Sequence, residues 1–73
     1  MKNVVKNNYL VNLGSRIREF RKAKKLSMES LAAELEIDYR QLGRIERGEI
    51  NTTILSLKRI SDVLQIPLSD ILD

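Results

Sequence analysis

The chain has 73 residues with one Phe, two Tyr and no Trp, so it can form one small domain whose core consists of Leu, Ile and Val. A chain of this size buries only about 60 % of the surface that it exposes when unfolded. The absence of Cys and His excludes disulfides, ordinary zinc sites and imidazole catalysis, and the net charge of +3 is uneven, with eight Lys or Arg and one Glu in residues 1–25.

The first residues are polar and differ from the rest of the chain. Residues 1–8, MKNVVKNN, have little apolar pattern and predict a flexible N-terminal arm, which leaves residues 9–73 as one folded domain. No apolar run approaches the roughly 20 residues of a membrane span, and the N-terminus lacks the apolar region of a signal peptide. We therefore expect a cytoplasmic protein.

Apolar residues recur at helical spacing along the domain, beginning with Leu10, Leu13, Ile17 and Phe20. This spacing predicts an all-α fold. The first helix is capped by Asn7 or Asn8 and continues to about Lys24, because its basic last turn suits the negative end of the helix dipole. Four more elements follow from their caps: Met28 to about Leu35 after Ser27, Tyr39 to Arg47 after Asp38, Ile54 to about Leu64 after Thr52 or Thr53, and a short turn from Pro67 to Leu72.

Only residues 36–38 separate the second helix from the third, which forces a sharp crossing typical of a helix-turn-helix. Ala32 is small where two helix axes must come close, and Ile37 can fill the turn. The same features also describe an ordinary helical hairpin. Gly48 follows the third helix at the position where a left-handed residue is preferred.

The third helix has two different faces. At about 100° per residue, Tyr39, Arg40, Arg44 and Arg47 fall with Gly43 on one arc of roughly 140°. Leu42 and Ile45 lie on the opposite arc. The first arc has three Arg and no acid, whereas a solvated face would mix both signs, and Arg is suited to bidentate contacts with guanine and phosphate.

Gly43 and the uneven charge each have two interpretations. Gly43 costs about 1 kcal/mol against Ala in an exposed helix, so it either permits close approach to a DNA groove or a thymine methyl, or is simply tolerated. The positive charge suggests a polyanionic partner. The alternative is that these charged side chains only keep the helix surfaces hydrated and bind no partner.

The motifs RKAKKLS, the LA pair at Leu31 and Ala32, RIERG, and LKRISDVLQIPLSDIL together resemble the phage-repressor and Cro type of helix-turn-helix domain, the XRE-type family. The resemblance spans Leu13 to Leu72. It implies a compact five-helix bundle of the lambda-repressor-like DNA-binding type, with a central helix-turn-helix in residues 9–73. It also implies that the third helix enters the major groove and that the protein is a homodimer on a two-fold symmetric operator.

Carried over by position, the resemblance implies base contacts from Tyr39, Arg40 and Arg44, with Gln41 or Gly43 assisting. It implies phosphate contacts from the N-terminus of the second helix at Ser27 and Met28, from Arg47, and from the loop at Asn51. It also pairs Arg21 with Glu46. The helical position of Glu46, beside the apolar arc, is consistent with a partly buried acid that needs a partner, and an exposed, solvated Glu is the alternative.

The chain departs from the family pattern at two positions. Met28 stands where the family usually has a Gln that reaches a phosphate, so Met28 either makes an apolar contact to a deoxyribose or belongs to the core. Glu36 stands where the turn usually has Gly, and it must adopt a positive φ if the backbone is retained.

The C-terminal segment LQIPLSDIL is unusually apolar for so short an element. It predicts a dimer interface formed by Ile66, Leu68, Ile71 and Leu72.

The pattern as a whole predicts a sequence-specific double-stranded-DNA-binding transcriptional regulator without catalytic activity, cofactor, metal or small-molecule ligand. A Cro-like repressor and a restriction–modification controller protein both fit. The alternative from another class is an antitoxin or similar protein-binding module, and RNA binding would need an exposed aromatic platform for which few residues are available.

Overall fold

The computed structural model describes residues 7–72. Five α-helices follow one another along the chain: α1 Asn8–Ala23, α2 Met28–Leu35, α3 Tyr39–Glu46, α4 Ile54–Leu64 and α5 Leu68–Leu72. The prediction of an all-α, five-helix fold is confirmed. The bounds of α2 and α4 are those predicted, and α1 and α3 each end one residue before the predicted residue.

The helices begin where the sequence places caps. Asn7, Ser27, Asp38 and Thr53 each have extended backbone, and each side chain accepts a hydrogen bond from a backbone N–H in the first turn of the helix that follows. Such caps satisfy donors that have no partner inside the helix. The structure thus selects Asn7 over Asn8 and Thr53 over Thr52 where the sequence left both open.

The start of α1 also corrects the boundary of the predicted arm. Asn7 is the cap of α1 and Asn8 is its first residue, so these two residues belong to the helical domain. The rest of the predicted arm, residues 1–6, lies outside the described residues.

Several helices end at residues with left-handed backbone. Glu36 has φ 60°, which confirms the expectation for this turn, and Gly48 has φ 72° after α3. Lys25 and Gln65 adopt the same conformation at φ 60° and 59°, which the sequence analysis did not predict. A left-handed conformation costs a non-glycine residue about 1–2 kcal/mol. At each of these three turns, the N–H of the residue that follows donates to a carbonyl oxygen in the last turns of the helix, at 3.0–3.1 Å, which helps to offset the cost.

The core lies where the five helices meet. It consists of aliphatic side chains that are at most 5 % exposed: Leu13, Ile17, Leu31, Ala32, Leu35, Leu42, Ile45, Leu57, Ile60, Leu64 and Ile71. Helix α1 packs on α3, α4 and α5, while α2 packs on α3 and α4. These contacts present α3 at the edge of the bundle with one face buried.

The close approach of α1 and α3 depends on Gly14. A Cβ atom at this position would lie 2.3 Å from the carbonyl oxygen of Ile45 and 2.5 Å from that of Glu46. Both are backbone atoms that cannot move independently of their helix. Gly14 therefore sets the depth at which α3 is seated on α1.

Helix α5 packs into the core rather than standing apart from it. Ile71 is fully buried, and Ile66, Leu68 and Leu72 are half-buried against the core. The prediction that Ile71 belongs to a dimer interface is therefore wrong, because its side chain has no accessible surface to offer a partner. One short helix can bury this residue because α1 and α4 both pack against it.

Side chains of α1 hold the C-terminal end of α5. The guanidinium of Arg16 donates to the carbonyl oxygens of Ile71 at 2.7 Å and Leu72 at 3.2 Å, and the Tyr9 hydroxyl donates to the Leu72 carbonyl at 3.2 Å. These bonds satisfy carbonyls that have no partner inside so short a helix. Between residues 7 and 72 the structure contains no helix long and apolar enough to cross a membrane.

Candidate nucleic-acid interface

Helices α2 and α3 form the tight turn that the sequence predicted. The left-handed Glu36 reverses the chain, and the N–H of Ile37 donates to the carbonyl oxygen of Ala32 at 3.0 Å. Ala32 is 2 % exposed and Ile37 is half-buried against the core. The two helices therefore form a rigid unit with α3 as its outer member.

One face of α3, which we call the outer face, consists of Tyr39, Arg40, Gln41 and Arg44, all of which are exposed. Leu42 and Ile45, by contrast, are buried at 0 % and 4 % exposure. The predicted division of the helix into an exposed polar side and a buried apolar side is confirmed. Which of these side chains contacts a base remains a prediction.

The first turn of α3 carries a local aromatic contact. The Arg40 guanidinium carbon lies 5.6 Å from the centroid of the Tyr39 ring. Such a contact at an exposed site contributes about 0.5–1 kcal/mol. The contact favours one orientation of the Arg40 side chain. Arg40 also forms an ion pair with Asp38, with its Nε 3.5 Å from a carboxylate oxygen, and both of these side chains are largely exposed.

Arg44 lies one helical turn after Arg40. Its guanidinium has no hydrogen bond or ion pair with any residue in the described part of the chain. Together with Asp38, Gln41 and Ile50, the two Arg line an open depression of about 360 Å³ on one side of α3. Arg44 thus offers all of its guanidinium donors to an external acceptor.

Arg47 differs from these two. It ends α3, and its guanidinium donates to the Glu49 carboxylate at 2.7 and 3.4 Å. These hydrogen bonds raise the pKa of Arg47 above its ordinary value. Glu49, two residues further along the chain and outside α3, therefore partly neutralises the end of the cationic arc, although the arc itself contains no acid.

Gly43 does not lie open on the outer face. It is buried, and a Cβ atom at this position would lie 3.1 Å from Arg47 Nη1 and 3.6 Å from Met28 Cε. The predicted base contact by Gly43 is corrected, because these two side chains cover it. Met28 is half-buried against the core and also lines the open groove beside α3, so both interpretations of this residue remain.

Arg21 and Glu46 form the predicted ion pair. Arg21 Nε donates to Glu46 Oε2 at 2.7 Å and Nη2 donates to Oε1 at 3.1 Å, with side-chain exposures of 9 % and 4 %. Arg21 Nη1 also donates to the Leu26 carbonyl oxygen at 2.9 Å. The hydrogen bonds to Glu46 raise the pKa of Arg21, against the opposing effect of burial. The pair joins the end of α3 to α1.

The remaining predicted phosphate contacts lie on the surface. The Ser27 hydroxyl accepts from the Ser30 N–H and donates to the Ser30 hydroxyl, both at 3.0 Å, so it is already engaged as a cap. Asn51 is exposed in the segment between α3 and α4. Neither position conflicts with a contact to phosphate.

Sequence reasoning missed two structural arginines. Arg16 binds the end of α5, and Arg59 Nη2 donates to the Leu35 carbonyl oxygen at the end of α2 at 2.8 Å. No local pattern distinguishes these residues from exposed Arg. No group of three or more Asp, Glu, His or Cys capable of holding a metal occurs among residues 7–72.

The short turn between α2 and α3, the buried inner side of α3 and its exposed cationic side define a helix-turn-helix domain. The helix-turn-helix family model HTH_3 matches residues 17–71, and the chain belongs to this family. The chain is also 35 % identical over 66 residues to the control protein C.MunI from a Mycoplasma species, a match that covers 89 % of each chain.

Two solved structures extend the comparison. The restriction-modification controller protein C.AhdI from Aeromonas hydrophila superimposes with a TM-score of 0.85 at 34 % identity, over 89 % of this chain and 98 % of that one. SinR, a master regulator for biofilm formation solved in complex with DNA, gives a TM-score of 0.78 at 34 % identity, over 84 % and 98 %. The family and these relatives identify the chain as a DNA-binding regulator.

Proposed function

We propose that the protein is a sequence-specific regulator of the restriction–modification controller type that reads the major groove of double-stranded DNA with α3. The observation that supports this most directly is the outer face of α3. Its polar side chains are exposed, while the other side of the same helix is buried in the core. A helix held in this way can enter a groove without any rearrangement of the fold.

The side chains of the outer face suit base edges. Arg40 and Arg44 can each donate two hydrogen bonds to the O6 and N7 of guanine, and Gln41 can bind adenine in the corresponding way. Tyr39 lies at the N-terminal end of α3, which is the end that points toward the bases in helix-turn-helix complexes. Arg47, Ser27 and Asn51 would contact phosphates and fix the position of α3.

We also propose that the protein binds as a homodimer. The apolar surface available for the interface comprises the half-buried Ile66, Leu68 and Leu72 and the more exposed Ile54 and Leu55, which are 63 % and 69 % exposed. A two-fold dimer would place two α3 helices about 34 Å apart, one turn of DNA. Sedimentation that shows a monomer at high micromolar concentration, both alone and on DNA, would contradict this.

The controller assignment is supported by C.MunI and C.AhdI, whose lengths this chain almost matches. The matched family and relatives favour a regulator over the enzyme and antitoxin alternatives. Such a regulator would act in the cytoplasm, on DNA close to a restriction or methyltransferase gene.

Footprinting on the DNA flanking the gene tests the whole proposal. We expect protection of an inverted repeat with half-sites one helical turn apart, and loss of protection when either half-site is scrambled. Equal binding to the native and scrambled duplexes would contradict sequence-specific recognition.

A further inference from the structure

A second basic feature lies beside the outer face of α3. An open groove of about 410 Å³ runs between α1, the start of α2 and the inner edge of α3, and we call it the α1–α3 groove. Its lining residues are Arg18, Arg21, Met28, Gly43, Glu46 and Arg47. One water molecule occupies roughly 30 Å³ in the liquid, so the groove is large enough for a tetrahedral anion.

The charge of the α1–α3 groove favours an anion. Its only carboxylate among these residues, that of Glu46, accepts from the Arg21 guanidinium through both oxygens at 2.7 and 3.1 Å. This pair is internally compensated. Arg18 and Arg47 therefore give the groove an excess of positive charge. Glu49 partly neutralises the charge of Arg47.

Arg18 is the residue of the groove that has no role in the fold. Its side chain is exposed on α1, and its guanidinium makes no hydrogen bond or ion pair with any residue between positions 7 and 72. Its neighbours Arg16 and Arg21 are both held by internal acceptors. The guanidinium donors of Arg18 have no internal acceptor and lie beside a positively charged groove, so they are suited to bidentate contact with phosphate oxygens.

The floor of the groove is shaped by Gly43. Because Gly43 has no side chain, Arg47 can fold across α3, with its Nη1 only 3.1 Å from the position that a Cβ would occupy. Met28 forms the apolar part of the floor. Gly43 thus places the Arg47 guanidinium on the same groove as Arg18, which explains its presence in α3 without a base contact.

We propose that the α1–α3 groove binds one phosphodiester group of the DNA backbone, and that Arg18 is a phosphate-contacting residue together with Arg47. The proposal rests on the proposed function, because it needs α3 to lie in the adjacent major groove. The phosphate oxygens accept from both guanidinium groups, and the bound phosphate competes with Glu49 for Arg47. Arg18 positions the domain on DNA and does not read its sequence.

The test compares Arg18→Gln with wild type on cognate and scrambled duplexes across a salt series. We expect roughly three- to tenfold weaker binding to both duplexes and a slope of log affinity against log salt that is smaller by about one. Arg18→Lys should retain most of the wild-type slope because it keeps the charge. The thermal midpoint should not change, since the Arg18 guanidinium has no partner among residues 7–72.

Lys24→Gln is the matched control, because it removes the same charge from an exposed side chain at the end of α1 that does not line the groove. An equal loss of slope for Lys24→Gln and Arg18→Gln would overturn the proposal in favour of general electrostatics. An unchanged slope for Arg18→Gln would also overturn it. Failure of the wild-type protein to bind any duplex would instead refute the proposed function itself.

Neutral methylphosphonates, introduced one at a time into the cognate duplex, locate the phosphate. We expect one position in each half-site where neutralisation weakens the wild type but not Arg18→Gln, and equal sensitivity of both proteins at every position would overturn the assignment. Inorganic phosphate, followed through the Arg18 Nε–H signal by NMR, provides the other arm. If inorganic phosphate shifts the Arg18 Nε–H signal but Arg18→Gln leaves the salt slope of DNA binding unchanged, the groove is a small-anion site, and the proposed contact with the DNA backbone is overturned.

Discussion

The two sides of α3 differ in burial and therefore in which residue types each side can carry. On the inner side, Leu42, Ile45 and Glu46 are at most 7 % exposed and meet α1. On the outer face, Arg40 and Arg44 are exposed and have no contact on which the fold depends. The inner side therefore determines how α3 packs on α1, whereas the residues of the outer face can differ according to the DNA sequence that the protein binds.

This difference has an energetic origin. A charged group on the inner side has lost its hydration, so its partner must be present and well aligned. An exposed arginine keeps its hydration in the free protein and contributes little to stability, with a surface ion pair giving about 0–1 kcal/mol. Substitutions should thus separate into those that change unfolding and those that change DNA binding.

The largest effect is expected for Arg21→Ala, which leaves the Glu46 carboxylate buried without its cation. We expect a loss of about 3–5 kcal/mol in the free energy of unfolding, measured by urea denaturation. Lys22→Ala, at the exposed neighbouring position, should change stability by no more than about 0.5 kcal/mol. In the double mutant, Glu46→Gln should recover part of the loss. Strictly additive effects would show that the pair is not coupled.

Gly14→Ala tests the close contact of α1 with the inner side of α3. The added methyl would lie 2.3 Å from the Ile45 carbonyl oxygen, so one helix must shift. We expect a cost of about 1–3 kcal/mol, measured by the same denaturation. Ser15→Ala, one residue further and exposed, should be neutral or slightly stabilising. Equal effects of the two substitutions would argue that the helices are not in close contact here.

Local features of the chain were predictable from the sequence because each depends on neighbouring residues. The caps Ser27 and Asp38 satisfy donors within the next turn, and the helical repeat places Leu42 and Ile45 on one side of α3. The positive φ of Glu36 followed from the family resemblance, as did the pairing of Arg21 with Glu46. These features needed no knowledge of how distant elements pack.

The features that sequence reasoning missed all depend on packing between elements. Gly14 is explained by a carbonyl that lies about thirty residues away in the chain, and Arg16 by the end of α5. Ile71 was assigned to a dimer because the number of helices that cover it could not be counted from the sequence. Gly43 fell on the exposed arc of the helix, yet side chains from two other positions cover it.

Substitutions on the outer face should show the opposite pattern from those on the inner side. Arg40→Ala or Arg44→Ala is expected to weaken binding to the cognate site by about 1–3 kcal/mol and to relax preference at one or two base pairs. Stability should change by no more than about 1 kcal/mol, because neither guanidinium contacts the core and the one local contact, of Arg40 with the exposed Tyr39 ring, contributes about 0.5–1 kcal/mol. Affinity for a panel of single-base variants, measured with the unfolding curve of each protein, checks both halves of this expectation.

Arg47→Ala provides the contrast at the end of α3. It should weaken cognate and random DNA alike. The salt slope should fall by less than the change of about one expected for an unpaired Arg, because Glu49 already binds Arg47. If Arg40, Arg44 and Arg47 behave identically, the outer face is a general electrostatic patch and does not read bases.

The smallest effect is expected for Glu36→Gly, which lies in the turn and on neither side of α3. Relief of the left-handed strain at φ 60° contributes about 1–2 kcal/mol, and the greater freedom of glycine in the unfolded chain opposes it by about 0.5–1 kcal/mol. The net gain in stability should therefore lie between about 0 and 1.5 kcal/mol. Gln65→Gly, at φ 59° after α4, should give a similar gain by the same denaturation measurement. Gln65 lies at the end of α4 and not in the turn before α3. A change in DNA affinity for Glu36→Gly but not for Gln65→Gly would therefore show that the turn before α3 also controls the orientation of the outer face. A loss of stability for Glu36→Gly would show that Glu36 makes favourable contacts that outweigh its strain.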